Sequence, residues 1–281
     1  MYSSVRLTKR IKELLIIAVV VCTCALVVFP IYWLINSSLQ EESALFTSPP
    51  SFIPRMFSVR AYRDLAVEGK MLRWIRNSLF VSVSTVAITI TFGTLAGYSF
   101  SRFRYKGRTA LSLAILSTQM IAGPMVITPL YIVFTRMGLI DTLYALILAN
   151  TALNLAVCTW LMKGFFDTIP REIEEAARID GCGRMGTLFR IVLPLSMTGM
   201  VTVLVLGFFV AWNEYLFGLV FISDQDKWIG SVGLASFVGS YIISQDKIMA
   251  GAVIFSLLPM LFFLFFQRYI VVGITRGALK G

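Results

Sequence analysis

The sequence predicts an all-α integral membrane protein with six transmembrane helices. Three observations carry this prediction. Of 281 residues, 57% are hydrophobic and only 14% charged, which is far too apolar for a soluble domain of this length. Six uncharged runs reach the about 20 residues that a bilayer core requires. Lys and Arg collect in short segments beside those runs. The net charge of +10 therefore does not point to nucleic acid, whose partners carry their cations along one stripe or face.

Taken in order, the runs are Leu14–Gln40, Asn77–Phe100, Thr109–Thr135, Thr142–Met162, Ile191–Asn213 and Ile248–Gln267. The first is too long for a signal peptide and has no small-residue cleavage site after it. Span two contains Gly93-x-x-x-Gly97 among Ser82, Ser84, Thr85, Thr89 and Thr91. That spacing lets helix backbones approach closely or lines a polar path, with packing the simpler reading. Gly123-Pro124 and Pro129 should kink or break span three near its middle, either for shape alone or beside a water-filled cavity. Span four places Asn150 and Asn154 on one face, and span five ends in Trp212-Asn213-Glu214-Tyr215. Glu214 follows 23 uncharged residues and precedes nine more. A carboxyl group at that depth faces a pathway, an interhelical partner or the interface. A seventh run, Ile229–Ser244, is short and rich in Gly and Ser, and reads as external or re-entrant.

Orientation follows from the short loops. The N-terminal tail, residues 1–13, holds Arg6, Lys9, Arg10 and Lys12. The loop after span two holds Arg102, Arg104, Lys106 and Arg108 with no acid, and the 163–190 loop holds Lys163, Arg171, Arg178, Arg184 and Arg190. Opposite them, Arg136 stands alone, and Lys227 and Lys247 are outnumbered by Asp224, Asp226 and Asp246. Both termini, including the tail 268–281, and the 163–190 loop are thus expected in the cytoplasm. Residues 14–281 form one membrane domain. Its long external loop 41–76 carries Pro49, Pro50 and Pro54, with six cations, Arg55 among them, against four acids.

The most unusual segment is EEAARIDGCG, residues 174–183. Pro170 can open a helix whose first turn carries acids at the positive dipole end. Arg171–Glu175 and Glu174–Arg178 are four apart, which predicts a solvated ridge with each pair worth roughly 0.2–0.5 kcal/mol. Ile173, Ala176, Ala177 and Asp180 mark another face, and Gly181 and Gly183 supply positions tolerant of positive φ to end the helix. Residues 171–180 make a rod of about 15 Å. Met185, Leu188, Phe189 and Val192 then fall on one face of a second amphipathic piece. A hairpin needs only a few turn residues, whereas this loop spends 28 from Lys163 to Arg190. A small-residue face flanked by charge favours docking to another protein.

The sequence lacks histidine, which removes the usual general base and the commonest metal ligand. Cys22, Cys24, Cys158 and Cys182 read as small apolar or neutral fillers. No catalytic or metal site is expected, and no cofactor bound by this chain.

IPREIEEAARIDGCGRMGTLFRIVLP closely resembles the EAA loop of ABC-importer permeases, E-A-A-x-x-x-G followed by I-x-L-P. Here those positions are Glu175, Ala176, Ala177, Gly181, Ile191, Leu193 and Pro194. NSLFVSVSTV, AGYSFSRFRYKGR, Leu139–Leu143, AWNEYLFGLVF and RYIVVGITRGALKG extend the likeness over most of the chain, toward carbohydrate permeases of the maltose-transporter type. The resemblance implies the type I ABC-importer permease fold, with a cytoplasmic coupling helix between spans four and five. It implies that Glu174, Glu175, Ala176, Ala177, Asp180 and Gly181 meet the ATPase, and that the tail matching Gly277–Gly281 also reaches it. Cys182-Gly183 replaces the common Ala-Ser, and Ala156 stands where Pro often follows Asn-Leu. The latter is a departure within span four, beside Asn154.

That family imports a sugar or oligosaccharide into bacteria through the inner membrane. Its partners are a second permease subunit, two ATPase subunits that use ATP and Mg, and an external substrate-binding protein. No G-x-x-x-x-G-K-[ST] occurs in this chain, so ATP hydrolysis falls to a partner. Asn154, Trp212, Asn213, Glu214 and Tyr215 are the substrate-pathway candidates, through stacking and hydrogen bonds to hydroxyls. Rival readings are an ABC importer of a polyol, a glycerol phosphodiester or an acidic oligosaccharide, a proton-coupled secondary transporter titrating at Glu214, and a membrane scaffold. External Arg55, Arg60, Arg63, Lys70, Arg73 and Arg76 would suit an anionic solute, lipid headgroups or a binding protein equally.

Overall fold

A computed structural model describes residues 2–45, 51–54, 56–238 and 244–278, with side chains described between 12 and 269. Pro49, Pro50, Arg55, part of the seventh run and the last three residues of the tail lie outside the described residues, as do the side chains of Arg6, Lys9 and Arg10. The principal helices are α1 Tyr2–Ser38, α2 Arg60–Glu68, α3 Lys70–Arg102, α4 Arg108–Ser117, α5 Gly123–Arg136, α6 Leu143–Asp167, α7 Arg171–Ile179, α8 Met197–Trp212, α9 Leu216–Phe221, α10 Gly230–Val238 and α11 Gln245–Ala278. Among the described residues the only β contact is an isolated bridge between Gln40 and Phe57.

Four stretches are long and apolar enough to cross a membrane: Lys12–Ser38, Lys70–Arg102, Leu143–Asp167 and Gln245–Tyr269. Two more spans are bent pairs, Arg108–Met120 with Gly123–Arg136 at 101° and Arg184–Leu195 with Met197–Trp212 at 79°. Six spans are reached when each pair counts once. The break in span three lies where Gly123-Pro124 predicts it. Pro124 falls in the first turn of α5, where its missing N–H leaves no helical bond unmade.

The break in span five corrects the sequence expectation. Residues 191–195 belong to the segment before the bend, so the second arm begins at Met197. Leu188–Val192 forms a π-helical turn, and Pro194 has no N–H to offer the carbonyl of Arg190. The same turn separates Leu188 and Val192, which are buried, from Met185 and Phe189, which are exposed. The single apolar face expected there is therefore two. The last part of the 41–76 segment is helical, because α3 begins at Lys70 and already carries Arg73 and Arg76.

Internal contacts divide the chain into residues 1–68 with 237–254, and 69–236 with 255–281. In the first unit, Lys247 pairs with Asp64 at 3.3 Å and Glu68 at 3.0 Å. Asn36 donates to the Ser51 carbonyl at 3.0 Å. The apolar flank of α1 from Leu14 onward is exposed, as a helix surrounded by lipid or by another subunit would be.

In the second unit α3 packs along α6, and α8 against both. A Cβ on Gly93 would lie 2.4 Å from Cys158 Sγ, and one on Gly97 only 2.9 Å from the Lys163 backbone nitrogen. The Gly-x-x-x-Gly spacing is thus a packing device, and Cys158 is a filler whose thiol donates to the Thr89 carbonyl at 3.4 Å. Gly97→Val should destabilise the α3/α6 pair by about 1–3 kcal/mol, the usual range for overpacking. A lower unfolding temperature in detergent would register it, and an unchanged one would show that the helices separate freely.

On the opposite end of this unit, Asp141 adopts φ 61°. Its Oδ1 accepts from the Ser223 and Asp224 amides, both at 3.0 Å, and its Oδ2 from Lys227 Nζ at 3.1 Å. The Asp224 amide, with help from Lys227, holds the Asp141 carboxyl below the usual carboxylate range. Arg73 pairs with Asp226, and Asn77 donates to the Asp226 and Trp228 carbonyls at 3.0 and 2.9 Å. The 222–229 connection is thereby fixed onto the first turns of α3.

Candidate functional site

The helix predicted from EEAARIDGCG is α7, and its termini follow the sequence. Pro170 stands just before it with φ −57°. At the other end the Gly181 amide donates to the Arg178 carbonyl at 3.1 Å, and the Cys182 amide to Ala177 at 2.9 Å. This is the Schellman pattern, and it requires the φ of +83° that Gly181 adopts. Gly183 is different: its φ of −67° is open to any residue, so only one of the two glycines ends the helix.

The faces of α7 depart from expectation. Glu174 and Ala177 turn inward and are buried, whereas Ile173, Glu175, Ala176, Ile179 and Asp180 remain exposed. Glu174 accordingly makes no solvated ridge with Arg178. Its Oε1 accepts from Arg102 Nε and its Oε2 accepts from Tyr98 Oη at 2.9 Å. The side chains of Arg102 and Glu174 are only 5% and 2% exposed. Arg102 also donates to the Ile169 carbonyl at 2.9 Å and to Ser101 Oγ at 3.2 Å. Ser101 Oγ in turn donates to Asp167 Oδ1 at 2.6 Å, and Arg171 donates to the Ser101 carbonyl at 3.2 Å. Asp167 is held from its other oxygen by Lys163 at 2.6 Å. A buried ion pair so completely hydrogen-bonded offsets its desolvation, and removing one partner strands a charge.

What remains on the outside of α7 is a compact surface. Ile179 is 87% exposed, and Met185 and Phe189 follow it on the exposed stripe of the next segment. Of the six residues assigned to ATPase contact by resemblance, Glu175, Ala176, Asp180 and Gly181 lie on this outer side. Ile179 and Met185 join them, signalled in the sequence only as apolar residues in a charged loop.

The candidate pathway residues are dispersed. A cavity of about 310 Å³ lies where α3, the break in span three, α6 and α8 meet. Thr89, Thr118, Gln119, Gly123, Asn154 and Leu206 are among its lining residues. Asn154 is the one predicted residue that lines it. Its Nδ2 donates to the Asn150 carbonyl at 2.8 Å, which leaves its carbonyl oxygen uncommitted. Gln119 is fixed by a 2.9 Å bond to the Leu153 carbonyl, and Thr89 Oγ1 is buried with no hydrogen-bond partner among the described residues. Both were missed as site residues: Thr89 reads as packing, and Gln119 acquires its place only through the break. Ala156 keeps α6 helical throughout, with no interruption beside Asn154.

Trp212, Asn213, Glu214 and Tyr215 do not line that cavity. Trp212 is fully buried, with ring centroids 5.0 Å from Phe255 and 5.6 Å from Phe208. It is a core residue, since an indole enclosed by stacked rings has no face to offer a sugar. Asn213 donates to the Phe209 carbonyl at 2.9 Å. Glu214 caps α9, accepting from the Phe217 and Gly218 amides at 2.6 and 3.0 Å. Tyr215 is partly exposed just before that helix. The Glu214 carboxylate is thus occupied by backbone donors, not by the interhelical partner or open path weighed from sequence.

Residues 89–276 match the family described as binding-protein-dependent transport system inner membrane component. The chain is 32% identical over 255 residues to an inner membrane ABC transporter permease protein of Escherichia coli K12, covering 90% of this chain and 91% of the relative. It is 32% identical to a sulfoquinovosyl glycerol transport system permease of Agrobacterium fabrum, over 90% and 89%. To a trehalose/maltose transport system permease of Thermococcus litoralis the identity is 30%, over 96% and 98%. Among solved structures, a chain of a bacterial ABC transporter involved in import of the acidic polysaccharide alginate superposes with a TM-score of 0.80 at 21% identity. That match covers 94% of this chain and 98% of the other, and carries the fold alone.

Proposed function

The chain belongs to the binding-protein-dependent transport system inner membrane components, multi-pass transport subunits of the type I permease fold, and we propose that it forms half of a path importing a sugar or oligosaccharide. The observation that carries the substrate class is the lining of the cavity. Thr89, Thr118, Gln119 and Asn154 offer hydroxyl and amide groups among apolar walls, and among the described residues no carboxylate or cation lines it. Such a lining suits a neutral polyhydroxy solute, whose hydroxyls need hydrogen-bond partners and whose ring faces need apolar ones.

Relatives named for maltose, trehalose and arabinooligosaccharide transport support this class. An acidic oligosaccharide is the second reading, and the relative named for sulfoquinovosyl glycerol supports an acidic sugar-containing solute. The external cations favour it weakly, because two of them are already paired, Arg60 with Asp64 and Arg73 with Asp226.

In this reading both termini and α7 are cytoplasmic. A second permease subunit completes the path, an external binding protein delivers the solute, and two ATPase subunits hydrolyse ATP with Mg. This chain itself neither hydrolyses ATP nor binds a cofactor. ATPase closure moves α7, and the paired permeases then open outward. The test is to purify the assembled complex with its binding protein and screen neutral and acidic saccharides for stimulation of ATP hydrolysis. Stimulation by neutral sugars is expected; stimulation by acidic ones alone would establish the second reading, and none by any saccharide would overturn both.

A further inference from the structure

We infer that Arg102 and Glu174, completed by Tyr98, are positioning residues that carry the displacement of α7 into α3 and so to the cavity. The inference rests on the importer reading above and adds to it a route inside this chain. Covalently, α7 is joined to α6 through only Thr168, Ile169 and Pro170, and chain connectivity alone would make α6 its lever. The side chains add a second attachment. Arg102 is the last residue of α3, and its guanidinium holds both the Glu174 carboxylate on α7 and the Ile169 carbonyl at 2.9 Å in front of it.

Tyr98, one turn earlier on α3, donates to the other carboxylate oxygen at 2.9 Å. Its ring is wedged edge-on against Phe103 and Phe166, each with a centroid separation of 5.8 Å. Two donors from one helix on two oxygens of one carboxylate fix direction as well as distance, which apolar contact does not.

From Arg102, α3 runs unbroken to Thr89 at the cavity wall, thirteen residues and about 20 Å away. Over that length it is locked to α6 by the Gly93 and Gly97 approaches. α7, α3 and α6 thus form one rigid piece from the docking surface to Thr89 and Asn154. The path toward α8 is instead interrupted by the π-helical turn and the 79° bend. Movement of α7 is therefore delivered first to the α3/α6 wall of the cavity, and α8 receives it only through its packing on those two helices.

The test uses the assembled complex in proteoliposomes, with ATP and vanadate as the probe and no solute required. Cys22, Cys24, Cys158 and Cys182 are replaced by Ala, and Leu206→Cys reports access to the cavity through its rate of maleimide labelling. In this parent, trapping with ATP and vanadate should change that rate at least ten-fold. The double variant R102M/E174M fills similar volume and strands no buried charge. It should insert, assemble and retain at least half the ATPase rate, while the nucleotide-dependent change at residue 206 falls below two-fold. Tyr98→Phe, which removes one hydrogen bond, should show a change reduced about three-fold. A parental response in the double variant would overturn the inference. So would parallel loss of assembly, hydrolysis and response, which marks a merely structural role. If the double variant fails to insert, Tyr98→Phe decides, and a parental response there overturns it. A parent indifferent to nucleotide would overturn the importer reading and this inference with it.

Discussion

Gly181→Val should reduce uptake by the assembled transporter at least ten-fold while leaving the chain inserted in the membrane. The effect is conformational in origin. Gly181 holds φ at +83°, and a Cβ built there meets nothing within 4 Å. A valine would therefore clash with no neighbour, yet a β-branched residue in this backbone region is strained by about 1–3 kcal/mol. The strain is relieved by unwinding the turn whose amides bond the Arg178 and Ala177 carbonyls at 3.1 and 2.9 Å. That turn sets where Asp180 and the exposed Ile179 stand at the tip of α7. The inner side of α7 is held independently by Glu174, so the helix stays attached while its outer end changes shape. Gly181→Asn, which tolerates the left-handed region, should restore most of the uptake. Full activity of Gly181→Val would remove α7 from the coupling route. Equal failure of Asn and Val would show that the partner needs the missing side chain rather than the backbone angle.

The spans were legible because a bilayer imposes one length on every crossing, and uncharged runs report it directly. The break in span three was legible too, since Gly123-Pro124 is local chemistry. The break at Ser196 was not. It follows a π-helical turn that places Leu188 and Val192 in a core with Tyr98, Met162 and Phe166; Pro194 is the one local signal, and a single proline does not give the direction of a bend that tertiary packing sets. Arg102 was read as one of four loop cations, which orientation arguments treat as solvated. Its partner lies 72 residues away, beyond the reach of any local pattern. Helix periodicity gave α7 its length and caps but put Glu174 on a solvated ridge, because Glu174 is buried by its ion pair and not by apolarity.

The pathway candidates show the same division. Asn154 was found because an amide in a span is costly unless it serves a partner or a path. The run from Trp212 to Tyr215 was singled out for chemical type, and type alone cannot say which side of a helix an indole faces. The cavity is built where a broken span exposes Gln119 beside Asn154, a juxtaposition set by the 101° bend.

Replacement of Trp212 separates a core role from substrate stacking. Trp212→Phe should leave both uptake rate and apparent substrate affinity within two-fold of the parent, whereas Trp212→Ala should destabilise the second unit by about 3–5 kcal/mol. The indole ring lies between Phe208 and Phe255 with interplanar angles of 22° and 23°. Phe208 continues the stack to Phe262 at a centroid separation of 4.0 Å. Phenylalanine preserves that stack, and it sacrifices no hydrogen bond, because Trp212 Nε1 is buried with no hydrogen-bond partner among the described residues. Alanine leaves a void that the rigid α8 and α11 backbones cannot collapse, and dispersion contacts are the main force between helices in lipid. The loss should therefore appear as a lower unfolding temperature and lower yield, with the surviving fraction binding solute normally. A sugar stacked on this indole would give the opposite pattern. Trp212→Phe would then weaken apparent affinity several-fold at unchanged thermal stability, and the pathway would have to be moved from the cavity beside Asn154 to the α8/α9 corner.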